Sequence, residues 1–381
     1  MPYVHRPEAL RGNNRIKLLV GGSNAFPAML EAIAMARERV HLESYILASD
    51  ETGRDFQQAL IERAQSGVQV RVMYDAVGSM GRISDVFVEE MEQAGIEVRE
   101  FHPIAPWRAR WGLNRRDHQK LLIVDSRVAF TGGLNIGNDY APKPRGQGWH
   151  DLHCQVEGPV VRDLAMIFRR AWLRAGGRSF KEEMARASDA MQLGRIATSP
   201  VLIATADNWR LDHRIDMHAA YRFALRHALK SIDLTNAYFI PDILLRREFR
   251  RAVKRGVEVR VIVPSESDVG LVYHASRRLY ARLLKMGVRI FEYQNRMMHA
   301  KAGVIDREWA TIGSFNMDRR SFVHNLEVGL VVADREFAAV MDDQFERDLE
   351  QCKEVTLAQW RARPFARRAK EWLAFRFRWW L

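Results

Sequence analysis

The stretch GVQVRVM at 67–73 returns as GVEVRVI at 256–262, so the chain carries an internal duplication. Each copy follows a stretch of helical period, FQQALIERAQS from Phe56 and LRREFRRAVKR from Leu245. Further upstream lies a strand-like run, VHLESYIL from Val40 and IDLTNAYF from Ile232. Downstream, AGIEVREF from Ala94 is matched by MGVRIFEY from Met286. The repeated order strand, helix, strand, helix, strand predicts an α/β fold of two halves related by a pseudo-twofold. Each half is expected to be a mostly parallel or mixed β-sheet flanked by helices. The halves fall at 1–177 and 200–350, joined by a charged linker at 178–199 and followed by a basic aromatic tail at 351–381. The first half also carries HPIAPWRARWGLNRRD before His118, which its partner lacks; two Trp and several Arg there suit an interface.

At 381 residues, 47% of them hydrophobic, the chain is long enough for two domains that each bury a core. The formal net charge of +12 points to a polyanionic partner, either nucleic acid or an anionic lipid surface, and charge alone does not choose. Only Cys154 and Cys352 occur, and the start MPYVHRPEALRGNN lacks the apolar stretch of a secretory signal, so a reducing, cytoplasmic setting is expected. The longest apolar runs fall far short of the roughly 18 residues a membrane span requires.

Two short motifs carry chemistry. His118, Lys120 and Asp125 form H-x-K-x4-D, followed by Gly132, Gly133 and Asn135; His299, Lys301 and Asp306 repeat it, followed by Gly313, Ser314 and Asn316. Alternate strand residues share a face, so each His and its Lys are expected to project together while Gln119 and Ala300 point away. The runs after each motif fit two strands joined by a tight turn at Asp125 or Asp306, which makes those two members of the catalytic triplets turn-formers rather than proton carriers. A phosphodiester would meet two Lys charges and the amides of Asn135 and Asn316, with no metal or other cofactor required. A neutral imidazole attacks phosphorus while a protonated one gives the leaving oxygen its proton. Asp151 and Glu327 follow the two motifs at similar distance and are assigned as the carboxylates that orient the imidazoles. One such motif in a long basic chain is as readily inert as functional; two at matching points of an internal repeat are not. His150 and His153 fall on opposite strand faces and do not read as a metal pair, and Glu43 has no clear equivalent in the second half, so it stays outside the catalytic set.

On these residues the chain resembles the phospholipase D superfamily, and within it the bacterial cardiolipin synthases, from about Lys17 to Leu349. The runs GGLNIGNDY from Gly132, EGPVVRDL from Glu157 and NAYFIPD from Asn236 resemble synthase sequence, specifically the branch without amino-terminal spans typified by cardiolipin synthase B. The resemblance implies transfer of a phosphatidyl group to phosphatidylglycerol, with phosphatidylethanolamine as a further substrate and release of a small head-group alcohol. It also implies His118 as nucleophile, forming a phosphohistidine, and His299 as general acid and then base, with the reverse assignment left open by the near symmetry of the halves. Ser314 would add a hydroxyl contact to phosphate that Gly133 lacks.

From Gln359 the chain reads QWRARPFARRAKEWLAFRFRWWL, a basic and aromatic segment that suits an interfacial helix after Pro364 on an anionic phospholipid membrane. Peripheral attachment at the cytoplasmic side of the bacterial inner membrane is the expected location. Packing of the tail on its own domain is the plainer alternative. The competing functions are a hydrolytic phosphodiesterase or nuclease of the same superfamily, and a phosphate-holding protein without catalysis. Nucleic acid is the less favoured partner, and with both motifs in one chain no oligomer is required.

Overall fold

The computed structural model of the chain describes residues 3–108, 110, 112, 114–180, 201–207 and 216–377. It separates into two compact units, one made of Arg11–Thr205 with Asn325–Val328, the other of Met1–Leu10, Ala206–His324 and Gly329–Leu381. These bounds depart from a simple split in sequence. The first ten residues belong with the second repeat, where Tyr3 Oη donates to Asp306 at 2.9 Å. Residues 325–328 belong with the first. Most of the linker expected at 178–199 lies outside the described residues.

In the first unit, strands β1 (Arg11–Val20), β2 (Arg39–Ser44), β3 (Gln69–Asp75), β4 (Glu97–Phe101), β5 (Leu121–Val124), β6 (Val128–Gly132) and β7 (Leu152–Glu157) run in the order β1-β7-β6-β5-β2-β3-β4. The pairs β2/β3 and β3/β4 are parallel, and β2/β5, β5/β6, β6/β7 and β1/β7 are antiparallel. Val201 and Ile203 of β8 (Val201–Asp207) pair with the outer side of β1. The crossovers are the helices Glu51–Gln65 and Asp85–Gln93, whose first turns are capped by the side chains of Asp50 and Ser84. Val40, Leu42, Val70, Val72, Phe56 and Phe87 fill the core beneath them.

The second unit repeats the plan with β9 (Ser231–Asn236), β10 (Glu258–Pro264), β11 (Arg289–Tyr293), β12 (Lys301–Ile305), β13 (Trp309–Gly313), β14 (Val328–Ala333) and β15 (Cys352–Val355), in the order β14-β13-β12-β9-β10-β11-β15. Here β9, β10 and β11 are parallel, and their crossovers are the helices Ile243–Lys254 and Gly270–Lys285. The glycine that opens the duplicated stretch has the same task in both units. Gly67 and Gly256 follow a helix end at φ +87°, the left-handed conformation that closes a helix without a Cβ penalty and feeds the next strand.

The segment from 351, read as a tail, begins inside the sheet. Strand β15 pairs antiparallel with β11, Ile290 opposite Val355 and Tyr293 opposite Cys352. After it come the helices Leu357–Arg361 and Phe365–Arg376, the second packed along Gly270–Lys285. Among the described residues no helix is long and apolar enough to cross a membrane.

Candidate active site

His118 sits where the chain runs into β5, and its place is set by backbone. Its N–H donates to Leu326 O at 2.9 Å, and Leu326 N–H donates to Arg116 O at 2.8 Å. This short parallel ladder carries Glu327 to the motif, and Glu327 Oε2 lies 2.9 Å from His118 Nδ1. Glu327 is fully buried. A carboxylate only accepts, so a neutral imidazole held this way keeps its proton on Nδ1 and presents the lone pair of Nε2, the atom a nucleophile needs. Gln119, expected to point away, donates from Nε2 to the carbonyl of Glu327 at 3.1 Å and so braces the same segment.

Lys120 is buried too and turns back, its Nζ donating to His118 O at 2.7 Å and standing 5.2 Å from the ring centre of Tyr45. The Tyr45 ring meets the His118 imidazole edge-on at 4.9 Å. In the second unit, Lys301 Nζ lies 2.8 Å from His299 Nδ1 and also donates to His299 O, with the ring of Tyr238 6.4 Å from the imidazole.

Both motif aspartates form turns. Asp125 and Asp306 adopt φ of +51° and +54° between their strand pairs. Asp125 accepts from the N–H groups of Arg37, Glu38 and Arg39 at 2.9, 2.8 and 2.9 Å. Asp306 accepts from Leu229, Lys230 and Ser231 at 2.7, 2.7 and 2.8 Å. Each carboxylate thereby ties the chain entering the first parallel strand to the turn that follows the motif.

The other sequence candidates are spread over two tasks. Asn135 is buried with its amide engaged on both sides, Oδ1 accepting from Ile46 N–H at 3.1 Å and Nδ2 donating to Tyr140 Oη at 2.6 Å, so it holds the loop after β2. Only its second amide hydrogen is left for a phosphoryl oxygen. Asn316 differs: its Oδ1 is buried without a hydrogen-bond partner among the described residues, while its backbone N–H donates to Ser321 Oγ. Asp151 is fully buried and accepts from Leu152 N–H at 2.8 Å. It also explains the glycine that stands where the second repeat has Ser314. A Cβ on Gly133 would lie 2.1 Å from Asp151 Oδ1, so the carboxyl group fills the space a serine would need. His150 and His153 are both buried, and burial pushes His153 down to about 4. No group of three or more His, Cys, Asp or Glu able to hold a metal ion occurs among the described residues.

Behind His118 lies a buried charged cluster that the motif reading missed. Arg116 Nε bridges both oxygens of Asp75 at 3.1 and 3.0 Å, and its Nη2 donates to the carbonyls of Phe101 and His102. This fixes the end of the inserted loop, so Arg116 is an internal clasp and not part of an interface; Trp107 of the same loop is exposed. Asp117 N–H donates to Asp75 Oδ2 at 2.8 Å. The carboxyl of Asp117 faces that of Glu43, and both residues are 1% exposed. Burial, more than the neighbouring charge, pushes Asp117 up to about 7 and Glu43 well above the usual carboxylate range. As two carboxylates neither could donate; the pair is bonded only when it holds a proton.

The strand register shows that none of this recurs in the second unit. Glu43 pairs with Leu121 as Thr235 pairs with Ala302, which makes Thr235 the counterpart of Glu43. Pro264, Met297 and Met298 stand where Asp75, Arg116 and Asp117 stand in the first.

Two α/β repeats, each leading a His-x-Lys into the strand beside its parallel core, define the phospholipase D class of fold. Comparison with known proteins agrees. The family described as "Cardiolipin synthase, PLD-like domain" matches residues 29–172 and 221–349. The cardiolipin synthase B of Salmonella typhi is 35% identical over 373 residues, covering 96% of this chain and 88% of that protein. A cardiolipin synthase of Halalkalibacterium halodurans is 33% identical over 362 residues, 93% of this chain and 70% of that protein. Among solved structures, the phosphatidylserine synthase of Haemophilus influenzae superposes with a TM-score of 0.73 at 12% identity, over 96% of this chain and 95% of that one, which is a likeness of fold. The chain belongs to the phospholipase D-like cardiolipin synthase family, whose members are phosphatidyltransferases.

Proposed function

We propose that the chain makes a cardiolipin-type lipid by moving a phosphatidyl group onto phosphatidylglycerol through a covalent phosphohistidine. The observation that carries the assignment of roles is the 2.9 Å contact between Glu327 Oε2 and His118 Nδ1, which leaves Nε2 of His118 as the nucleophile. In the first step Nε2 attacks the phosphorus of a donor phosphatidylglycerol, the P–N bond forms and the bond to the glycerol oxygen breaks. His299, protonated, gives that oxygen its proton and leaves as neutral base. In the second step a head-group hydroxyl of another phosphatidylglycerol gives His299 its proton and attacks phosphorus, and the P–N bond breaks to return His118. Two phosphatidylglycerols thus yield one cardiolipin and one glycerol. With phosphatidylethanolamine as donor the released alcohol is ethanolamine.

Lys120 and Lys301 are assigned to the phosphoryl oxygens, with Ser314, Asn316 and the remaining amide hydrogen of Asn135 as further donors. Asp151, the acid that follows the first motif as Glu327 follows the second, is assigned as the further His-orienting carboxylate. Phospholipid substrates support a location on an anionic phospholipid surface, and the cytoplasmic face of the bacterial inner membrane is the side assigned in this reading.

The test is to mix the protein with phosphatidylglycerol labelled in its phosphate, quench in alkali, where phosphohistidine survives, and map the label by mass spectrometry. Label on the peptide bearing His118, absent from His118→Ala, is the expected result. Label on the His299 peptide reverses the roles, and absence of any covalent label overturns the phosphohistidine route.

A further inference from the structure

The C-terminal helix is clamped to its own unit and still leaves a basic, aromatic face uncovered. Trp360, 5% exposed, is the clamp. Its ring packs on Tyr280 at 4.8 Å and lies under the guanidinium groups of Arg363, at 3.3 Å, and Arg277, at 4.7 Å. Arg363 is in turn ion-paired with Glu371, which is buried. Glu371 is the only acid in 270–285 and 357–377, so its charge is spent inward and nothing acidic faces solvent from either helix.

The outward face is therefore of one sign. Arg278, Arg282 and Lys285 are exposed and recur at helical spacing along Gly270–Lys285. Arg367, Arg368, Lys370 and Arg376 are exposed along Phe365–Arg376. Between them stand large apolar side chains in water: Phe365 is 81% exposed, Leu373 58%, Trp372 53% and Phe377 47%. Two adjoining grooves, of about 380 and 460 Å3, run between the helices, lined by Arg278, Arg368 and Trp372 in one and by Arg282, Lys285 and Arg376 in the other. An apolar patch mixed with uncompensated positive charge marks an interaction site, and its complement is a surface with fixed negative charge over an apolar interior.

We propose that this two-helix face docks on an anionic phospholipid bilayer, its arginines and Lys285 on lipid phosphates and Phe365, Trp372, Leu373 and Phe377 in the interfacial layer. The choice of a bilayer rests on the phosphatidyl-transfer reading. The clamp at Trp360 makes the face a rigid platform, so docking needs no ordering of a loose tail and holds the unit at one inclination to the lipid.

Co-sedimentation tests this with the full chain carrying His118→Ala, so that binding is read without turnover. The probes are vesicles of phosphatidylglycerol mixed with phosphatidylcholine, and vesicles of phosphatidylcholine alone. Binding is expected only to the first, weakening as salt rises from about 50 to about 500 mM. Arg278→Glu with Arg282→Glu and Arg368→Glu should lower the partition at least about thirtyfold. Trp372→Ala with Leu373→Ala should lower it with the salt dependence kept, and this second variant carries the test if the first melts early. Undiminished binding in both variants, or equal binding to both vesicles, overturns the proposal. So does tighter retention on single-stranded DNA that the same variants abolish, which would make the face a nucleic-acid surface. Absence of cardiolipin synthesis by the unmutated protein would overturn the transfer reading and leave this partition measurement standing.

Discussion

Glu327, itself fully buried, holds the His118 imidazole through a hydrogen bond, and its charge matters as much as its position. Glu327→Gln keeps the shape and removes the anion that stabilises the imidazolium and fixes the tautomer. Turnover should fall about 10³- to 10⁴-fold with KM little changed, as read from initial rates of phosphatidyl transfer. The pair Glu43 and Asp117 gives a different signature. Its folded-state pKa values lie above the ordinary carboxylate range, so it contributes stability that is whole below about pH 4 and is lost as the pH rises through about 7. The thermal midpoint should therefore fall between pH 5 and pH 8 by more in the parent than in Glu43→Gln, whose amide donates to Asp117 without a shared proton. A steeper fall in the variant would contradict the shared-proton reading. At this scale the two histidines, their lysines and the turn aspartates were legible because a spacing repeated in both halves marks them. The charged cluster was not, because Glu43, Asp75, Arg116 and Asp117 come from three separate segments and have Thr235, Pro264, Met297 and Met298 as counterparts. Its one signal in the sequence was an acid inside the apolar run VHLESYIL.

Each strand-turn-strand that follows a motif is shaped by what must fit beside it. The end of β6 needs Gly133 because Asp151 Oδ1 occupies the place of a Cβ, whereas the corresponding turn after β13 accepts Ser314. Gly133→Ser should push the Asp151 carboxyl aside and lower turnover at least about tenfold, with a drop in thermal midpoint, while Ser314→Gly should cost less in midpoint. Equal midpoints for the two variants would show that Asp151 yields freely. At the C-terminus, Trp360→Ala removes the ring shared by Tyr280, Arg277 and Arg363 and should cost about 3–5 kcal/mol, measured by denaturant unfolding at constant m. The parallel strands and their crossovers were readable from alternating periods of two and 3.6 residues. Strand β15 escaped, because CKEV from Cys352 to Val355 is short and carries two charges, and only pairing with the edge of β11 makes it a strand.

Over the whole chain, duplication supplies two chemically similar motifs, and the surroundings make them different. The first repeat surrounds its histidine with Glu327, a clasped arginine and a proton-holding acid pair; the second has Thr235, Met297, Met298 and Pro264 at the matching positions of the cluster. Sequence alone left open which histidine attacks, since the motifs themselves are nearly identical, and the proposed assignment to His118 rests on Glu327, which the fold brings to it. The division into units was legible as two repeats but not in its bounds, because Met1–Leu10 and Asn325–Val328 each join the repeat distant from them in sequence. The most direct measurement is an assay of the purified protein on labelled phosphatidylglycerol vesicles, separating cardiolipin from phosphatidic acid, beside His118→Ala. Cardiolipin with stoichiometric glycerol from the parent, and neither from His118→Ala, is the predicted result; phosphatidic acid as the sole product, or cardiolipin undiminished in His118→Ala, would contradict it.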